Sequence, residues 1–130
     1  MESKIVLDFI KAINIADVDK MCALMTIDHT FIDSQDNQTI GKNKMRQAWI
    51  EYFSLFPDYK IEVNEIFEKG SLMCILGYAS GTYKNLINDD KSNFWRIPAA
   101  LKAIVKDDQI KLWQVFADNI QVMEIINKNK

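Results

Sequence analysis

The acid best placed to do chemistry in this chain is Asp33. It lies near the end of the segment HTFIDS, residues 29–34, which is rich in β-forming residues. Side chains along a strand alternate between its two faces, so Asp33 shares a face with Phe31. If Phe31 points into an apolar interior, desolvation would raise the pKa of the Asp33 carboxyl and let it act as a base near neutral pH. The alternative is that Asp33 begins the turn into SQDNQ and accepts hydrogen bonds from local backbone amides.

The single histidine, His29, lies on the same predicted strand face as Asp33. Four strand residues at roughly 3.3 Å each place the two backbones about 13 Å apart, which is too far for a direct hydrogen bond. We therefore expect His29 at the Ile27–Asp28 corner or at the closed end of the fold. A direct role would need another partner.

A second candidate acid, Asp118, lies near the end of the last predicted strand. It shares a face with Gln114 and Phe116, opposite Trp113 and Val115. A face that carries an amide, an aromatic ring and a carboxylate is typical of a pocket wall with a few oriented polar groups. The alternative is that Asp118 faces water or pairs with a lysine.

Five aromatic residues are expected to form core and pocket lining: Trp49, Tyr52, Phe53, Tyr78 and Trp95. The first three recur at helical spacing, which a helix that packs against a core requires. A cavity lined by such rings would favour an apolar or aromatic small molecule as its ligand.

A metal site is not expected, because the chain has one histidine and two widely separated cysteines, Cys22 and Cys74. We predict no cofactor. Both cysteines lie in apolar stretches, which predicts buried thiols. The amino-terminal segment lacks the features of a secretory signal, so a reducing cytoplasmic location is expected.

The composition excludes several other classes of function. The 130 residues fit one domain over 1–130, with 1–2 and 127–130 frayed. A formal net charge of -2 and a pI near 5.4 give no general attraction to phosphate backbones, so nucleic acid is not an expected partner. No apolar run approaches the roughly 20 residues of a membrane-spanning helix.

The elements that must position these residues are three helices followed by a run of strands. Apolar periodicity predicts three helices. The first spans 3–13, the second follows a capping Asp17, and the third spans 42–55 and ends before Pro57. The rest predicts an antiparallel meander with a bulge between 63 and 66, a polar loop over 84–93 and a last strand over 110–122. The expected fold is α+β, with three N-terminal helices packed on the concave face of a cone-shaped, curved, mixed or antiparallel sheet.

Three ordered stretches resemble the SnoaL-like branch of the nuclear transport factor 2 / ketosteroid isomerase superfamily. They are FIKAINIADVDKMCALMTIDHTFIDS, GKNKMRQAWIEYFSLFPDYKIEVNEIFEKG and AIVKDDQIKLWQVFAD. The resemblance implies the same cone-shaped fold and a scaffold that serves isomerases, cyclases, hydrolases, dehydratases and binding modules. It also implies a homodimer through the outer face of the sheet, where Trp113 and Val115 would supply apolar contacts.

The resemblance also places site residues. Asp33 stands at the general base of the isomerases, and Asp118 at an acidic wall position of the cyclases. Phe9 and Ala99 stand where the isomerases have the two hydrogen-bond donors of their oxyanion hole, and neither can donate. Trp49 replaces a supporting tyrosine. The isomerase mechanism itself is therefore not expected.

Two functions remain open at this point. The first is a cofactor-independent isomerase, cyclase or lyase, with Asp33 as base and with Asp118 and the Trp49 indole orienting the substrate. The second is a non-catalytic ligand-binding or dimeric interaction module that uses the same cavity. The two aspartates favour the first, and the missing donors at Phe9 and Ala99 favour the second.

Overall fold

The computed structural model describes residues 2–84 and 91–129. The chain forms four helices and six strands in these ranges: α1 Glu2–Asn14, α2 Val18–Ala23, β1 Met25–Ile32, β2 Gln38–Ile40, α3 Lys42–Leu55, β3 Lys60–Lys69, β4 Leu72–Thr82, β5 Phe94–Lys106, β6 Gln109–Phe116 and α4 Ile120–Lys128. A 3₁₀ turn at Lys91–Asn93 precedes β5. Most of the polar loop predicted over 84–93 lies outside the described residues.

The three N-terminal helices form where the apolar periodicity predicts them. On α1, Val6, Phe9 and Ile13 are buried on one stripe. Asp17 caps α2, because its carboxylate accepts a hydrogen bond from the Lys20 backbone N–H at 3.0 Å. The third helix ends just before Pro57, which cannot continue it.

The six strands form one curved, unclosed sheet in the order β2-β1-β6-β5-β4-β3. Neighbouring strands are antiparallel except β1 and β6, which are parallel. The predicted bulge is present as a register shift between Val63 and Glu65. Opposite it, a Cβ on Gly77 would lie 1.8 Å from the Glu62 carbonyl oxygen, so only glycine permits this close approach of β3.

The hydrophobic core lies between the helices and the concave face of the sheet. Its fully buried side chains include Phe9, Met21, Met25, Met73 and Trp113. Each such side chain stabilises the fold by roughly 1.5–3 kcal/mol through removal of apolar surface from water. The expected α+β fold, with helices on a curved mixed sheet, is confirmed.

The prediction for the C-terminal segment is wrong. The last strand ends at Phe116 rather than at 122, and residues 120–128 form the helix α4. The apolar residues Val122 and Ile125 are buried, which is the spacing of a helix face. The helix α4 extends to Lys128, so it includes part of the terminal segment that is expected to fray, and the fraying itself stays a prediction.

The C-terminal end of α4 is attached to the segment before β5 by hydrogen bonds. Lys128 Nζ donates to the Ser92 hydroxyl at 2.7 Å, and Asn129 Nδ2 donates to Asn93 Oδ1 at 3.0 Å. Asn93 is itself buried and donates to the Tyr83 carbonyl at 3.1 Å. These contacts fix the end of α4 to the segment before β5, and α4 forms part of a cavity wall.

Candidate functional site

A cavity of about 430 Å³ lies among α3, α4, the β1–β2 turn and the concave face of the sheet. Twenty of the described residues line it: Phe31, Asp33, Ser34, Gln35, Thr39, Met45, Ala48, Trp49, Tyr52, Phe56, Tyr59, Ala79, Trp95, Ile97, Val115, Ala117, Asn119, Val122, Met123 and Ile126. Gln35 and Met123 are exposed, so the turn and α4 border the side that opens to solvent. This volume lies within the usual range of small-molecule sites, roughly 300–1,000 Å³.

One wall of the cavity is made of aromatic rings in mutual contact. The Trp49 and Tyr52 ring centroids lie 5.9 Å apart, and the Tyr52 and Tyr59 centroids 4.9 Å apart. Tyr59 continues the wall to Trp95 at 6.1 Å, and Trp95 packs edge-to-face on Phe56 at 5.5 Å. Helical spacing places Trp49, Tyr52 and Phe56 on one side of the α3 region, which is how the sequence builds this wall.

The aromatic wall also carries polar hydrogens. The indole N–H groups of Trp49 and Trp95 are buried and have no hydrogen-bond partner in the described part of the chain. Burial raises the pKa of the Tyr52 and Tyr59 hydroxyls well above the usual value, so both stay protonated at neutral pH. The aromatic wall therefore carries neutral donor groups, and none of these four side chains is a general base.

Asp33 lines the cavity, but its carboxylate is held by the turn that follows β1. Oδ1 accepts hydrogen bonds from the Gln35 and Asn37 backbone N–H groups, both at 2.9 Å, and Oδ2 accepts one from Asn37 Nδ2 at 3.1 Å. Partial burial raises the pKa of Asp33, but these hydrogen bonds outweigh it, so the pKa lies below its ordinary value. The expected upward shift is wrong, and the turn alternative describes the geometry. A catalytic role for Asp33 stays a prediction.

The prediction for the two faces of β6 is reversed. Val115 and Ala117 line the cavity and Trp113 is buried, whereas Phe116 is 52% exposed on the outer face, which Gln114 shares. Trp113 and Val115 are therefore not available as an outer dimer surface. The error has a physical reason, because both faces of this strand carry apolar residues and alternation alone does not say which one turns inward.

Asp118 does not reach the cavity. It is exposed, and its carboxylate accepts a hydrogen bond from the Ile120 backbone N–H at 3.1 Å, at the start of α4. The cavity lining on this side comes from its neighbours Ala117 and Asn119. Asp33 and Asp118 consequently do not converge on one space, and the paired-acid arrangement that would favour catalysis is absent.

Three predicted pocket residues belong instead to the core: Phe9, His29 and Ala99. His29 is fully buried, with its ring 6.2 Å from that of Phe9. Its Nδ1 lies 2.8 Å from the Ile110 carbonyl oxygen, while Nε2 has no partner in the described chain. Burial lowers the pKa of His29, so the imidazole is neutral near pH 7.

The remaining predicted residues separate into two groups. Trp49, Tyr52, Phe31 and Trp95 line the cavity as expected. Phe53 stacks on Trp49 with centroids 5.4 Å apart, behind the lining.

Tyr78 lies outside the cavity, because β4 directs it to the outer face. There the Arg96 guanidinium lies 3.7 Å from the centre of its ring. The prediction that Tyr78 lines the pocket is therefore wrong.

The sequence reasoning missed several lining residues. One is Tyr59, which lies in the short connection after Pro57. Others are Val122, Met123 and Ile126, which lie on the helix α4. The signal for α4 was present as Val122, Ile125 and Ile126 at helical spacing.

Neither a cluster of metal-ligating side chains nor a membrane-spanning helix occurs in the described residues. No group of three or more His, Cys, Asp or Glu side chains there could hold a metal ion. Within the same residues, no helix is long and apolar enough to cross a membrane.

The sequence profile of the SnoaL-like domain matches residues 6–120. The chain belongs to the SnoaL-like family. The matched range ends where α4 begins, so the lining residues of α4 lie beyond it. No curated protein matches the sequence.

Solved structures with the same fold differ in what they are described to do. A candidate SnoaL-like polyketide cyclase from Shewanella denitrificans OS-217 has a TM-score of 0.82 at 14% identity, covering 98% of this chain and 97% of that one. A protein of ketosteroid isomerase-like fold from Catenulispora acidiphila DSM 44928, in complex with trimethylamine, has a TM-score of 0.79 at 14% identity, with coverages of 92% and 89%. An LEH-like epoxide hydrolase from M. tuberculosis has a TM-score of 0.78 at 13% identity, with coverages of 97% and 89%.

These similarities confirm the SnoaL-like family and the nuclear transport factor 2 / ketosteroid isomerase-like fold. The fold is one that small-molecule enzymes use, and at these identities the comparisons show the fold alone. Function must therefore be argued from this chain's own cavity.

Proposed function

We propose that this SnoaL-like protein binds an apolar or aromatic small molecule in the cavity, without chemical turnover. The observation that carries the proposal is a cavity of about 430 Å³ with a wall of contacting aromatic rings and, among the described lining residues, a single carboxylate. Apolar sites with a few oriented polar groups are typical of ligand binding. Here the orienting groups are the Trp49 and Trp95 indoles and the Tyr52 and Tyr59 hydroxyls, all on that wall.

Ligand binding is favoured over acid–base catalysis because of the hydrogen bonds that Asp33 accepts and the position of Asp118. Asp33 has a lowered pKa and already accepts three hydrogen bonds, which makes it a weak base. Asp118 lies outside the cavity and cannot orient a substrate there. A base-catalysed isomerase, cyclase or lyase would need a carboxylate that is freer than Asp33.

The proposal is tested by filling the cavity from a helix. Ala48 lines the cavity on α3, so Ala48→Leu should occupy part of it. If the added methyl groups cost about 1–3 kcal/mol, as in an overpacked core, the binding of para-tert-butylphenol should weaken by about fivefold or more. The matched control is Ala23→Leu, at an exposed alanine in α2. Isothermal titration calorimetry measures both affinities.

The outcomes separate clearly. Binding to the wild type that Ala48→Leu weakens and Ala23→Leu preserves would support the proposal. An absence of wild-type binding to a panel of aromatic probes, or equal binding to both variants, would contradict it. Turnover of a bound probe that is abolished by Asp33→Asn would restore the catalytic alternative.

A homodimer through the outer face of the sheet is part of the same proposal, with contact residues different from those first expected. Phe116, Ala100 and Leu76 lie in one row across β6, β5 and β4, and Phe116 and Leu76 are 52% and 37% exposed. Leu76→Lys should convert a dimer into a 15.1 kDa monomer in sedimentation equilibrium, because it places a charge in the apolar contact. A wild type that sediments as a monomer would contradict this part.

Independence from cofactors and a cytoplasmic location stay predictions. A reducing cytoplasm would keep Cys22 and Cys74 as free thiols, the state in which both occur here.

A further inference from the structure

The charge of the cavity lining is not balanced. Among the lining residues of the described chain, Asp33 is the only one with an ionisable acidic or basic side chain other than the tyrosines. No lysine or arginine in the described residues forms an ion pair with it. Among the described residues, the cavity lining therefore carries a single negative charge with no lysine or arginine in the lining or in an ion pair to offset it.

Asp33 keeps that charge under physiological conditions. The groups that hold its carboxylate are the neutral N–H donors of Gln35 and Asn37, which fix its position without cancelling its charge. They also lower its pKa, so the carboxylate is ionised at neutral pH.

The aromatic wall adds to the same electrostatic preference. The faces of Trp and Tyr rings carry partial negative charge and attract cations, with Trp the strongest. Phe31 is two residues before Asp33 on the same strand face, and its ring centroid lies 6.3 Å from that of Trp49. Phe31 and Asp33 both line the cavity, so the carboxylate and the aromatic wall border the same space.

From this arrangement we propose that the ligand carries a tertiary or quaternary ammonium group on an apolar or aromatic body. The ammonium group would lie between the Asp33 carboxylate and the Trp49 side of the aromatic wall, and the body would fill the aliphatic remainder toward α4. A methylated ammonium suits this site because it is weakly hydrated and needs few acceptors, and Asp33 has most of its acceptor sites in use. The proposal rests on the proposed ligand-binding function and specifies the chemistry of its ligand.

The test compares two probes of the same shape and different charge. The cation is (para-hydroxyphenyl)trimethylammonium, and its neutral carbon counterpart is para-tert-butylphenol. We expect the wild type to bind the cation about tenfold more tightly, measured by isothermal titration calorimetry at low salt. The affinity for the cation should fall as salt is added, and the affinity for the neutral probe should not.

Asp33→Asn tests the source of the preference. Its amide oxygen can still accept from the turn, and we expect the ratio of cation affinity to neutral-probe affinity to fall to about threefold or less. The matched control is Asp36→Asn, an exposed turn residue with φ of 68° that lies outside the lining, and asparagine tolerates this backbone conformation. Asp36→Asn should keep the full preference.

Each outcome decides the proposal. A cation that the wild type binds less than roughly threefold more tightly than the neutral probe would overturn it, as would an affinity for the cation that does not respond to salt. Binding of para-tert-butylphenol alone would leave the proposed function standing without the ammonium ligand. If neither probe binds, both proposals fail. If Asp33→Asn does not fold, the wild-type comparison and its salt dependence still decide.

Discussion

Acidification should destabilise this fold through His29. The imidazole is fully buried, and the short Nδ1 contact with the Ile110 carbonyl at 2.8 Å fits the neutral tautomer with its hydrogen on Nδ1. Protonation would add a second N–H at Nε2, where no partner is available in the described chain. Burial therefore lowers the pKa of His29, although the hydrogen bond to Ile110 and the nearby Asp28 carboxylate act in the opposite direction.

The sign and size of the effect follow from linkage. The unfolded chain takes up a proton at His29 near pH 6.5, and the folded chain does so only at a lower pH. The part of the folding free energy that depends on a neutral His29 is therefore fully present above pH 6.5. It is lost as the pH falls toward the lower pKa of the folded state. Between pH 7.5 and 5.5, this single group can remove at most about 1.4 kcal/mol from the free energy of unfolding.

Urea denaturation at several pH values in this interval measures the effect in the wild type and in His29→Asn. The asparagine amide can replace Nδ1–H as donor to Ile110 but cannot titrate. The variant is expected to be less stable at every pH, because its smaller side chain leaves a cavity, and to lose the part of the pH dependence that comes from His29. Wild type and variant with parallel pH dependence would refute the reasoning.

Two further substitutions test how the sequence shapes the fold. Gly77→Ala should lower the free energy of unfolding by about 1–3 kcal/mol or more, because the new Cβ would lie 1.8 Å from the Glu62 carbonyl oxygen. The control is Gly70→Asn, at a turn with φ of 60° and open space around the glycine, and it should change the free energy of unfolding little. Equal losses of stability at both positions would contradict the argument that only glycine permits the close approach at 77. Asp17→Ala should cost about 0.5–2 kcal/mol in chemical denaturation, because the Lys20 N–H loses its cap, and an unchanged midpoint would mean that the cap contributes nothing.

Local patterns in the sequence were sufficient to predict most of the fold. The apolar stripe of α1, the capping Asp17 and the stop at Pro57 are features of single segments, and the structure forms helices there. The phase change within β3 likewise predicted the bulge between Val63 and Glu65. These features depend on neighbouring residues, so no tertiary information was needed.

The errors occurred where a pattern had two physical solutions. In β6 both faces carry apolar residues, so the inward direction of Trp113 and Val115 depends on the packing of β6 beside β1. In 120–126 the alternation of Ile120 and Val122 resembles a strand, while the burial of Ile125 belongs to a helix. Tertiary packing chose the helix.

The sequence predicted aromatic residues that line the cavity, but it did not predict how the acidic side chains are placed and hydrogen-bonded. Trp49, Tyr52 and Trp95 line the cavity because large apolar rings must be buried somewhere, and the concave face is where burial is possible. The charge state of Asp33 depends on three hydrogen bonds whose donors come from the turn geometry, and no spacing rule reveals whether they form.

The central claim, that ligands enter the aromatic-walled cavity, is tested most directly by NMR of the three indole N–H groups. Trp49 and Trp95 line the cavity, whereas Trp113 is buried against Phe9 with centroids 4.9 Å apart. Addition of para-tert-butylphenol to ¹⁵N-labelled protein should shift the Trp49 and Trp95 resonances and leave that of Trp113 in place. Unchanged Trp49 and Trp95 resonances at saturating probe would contradict the claim.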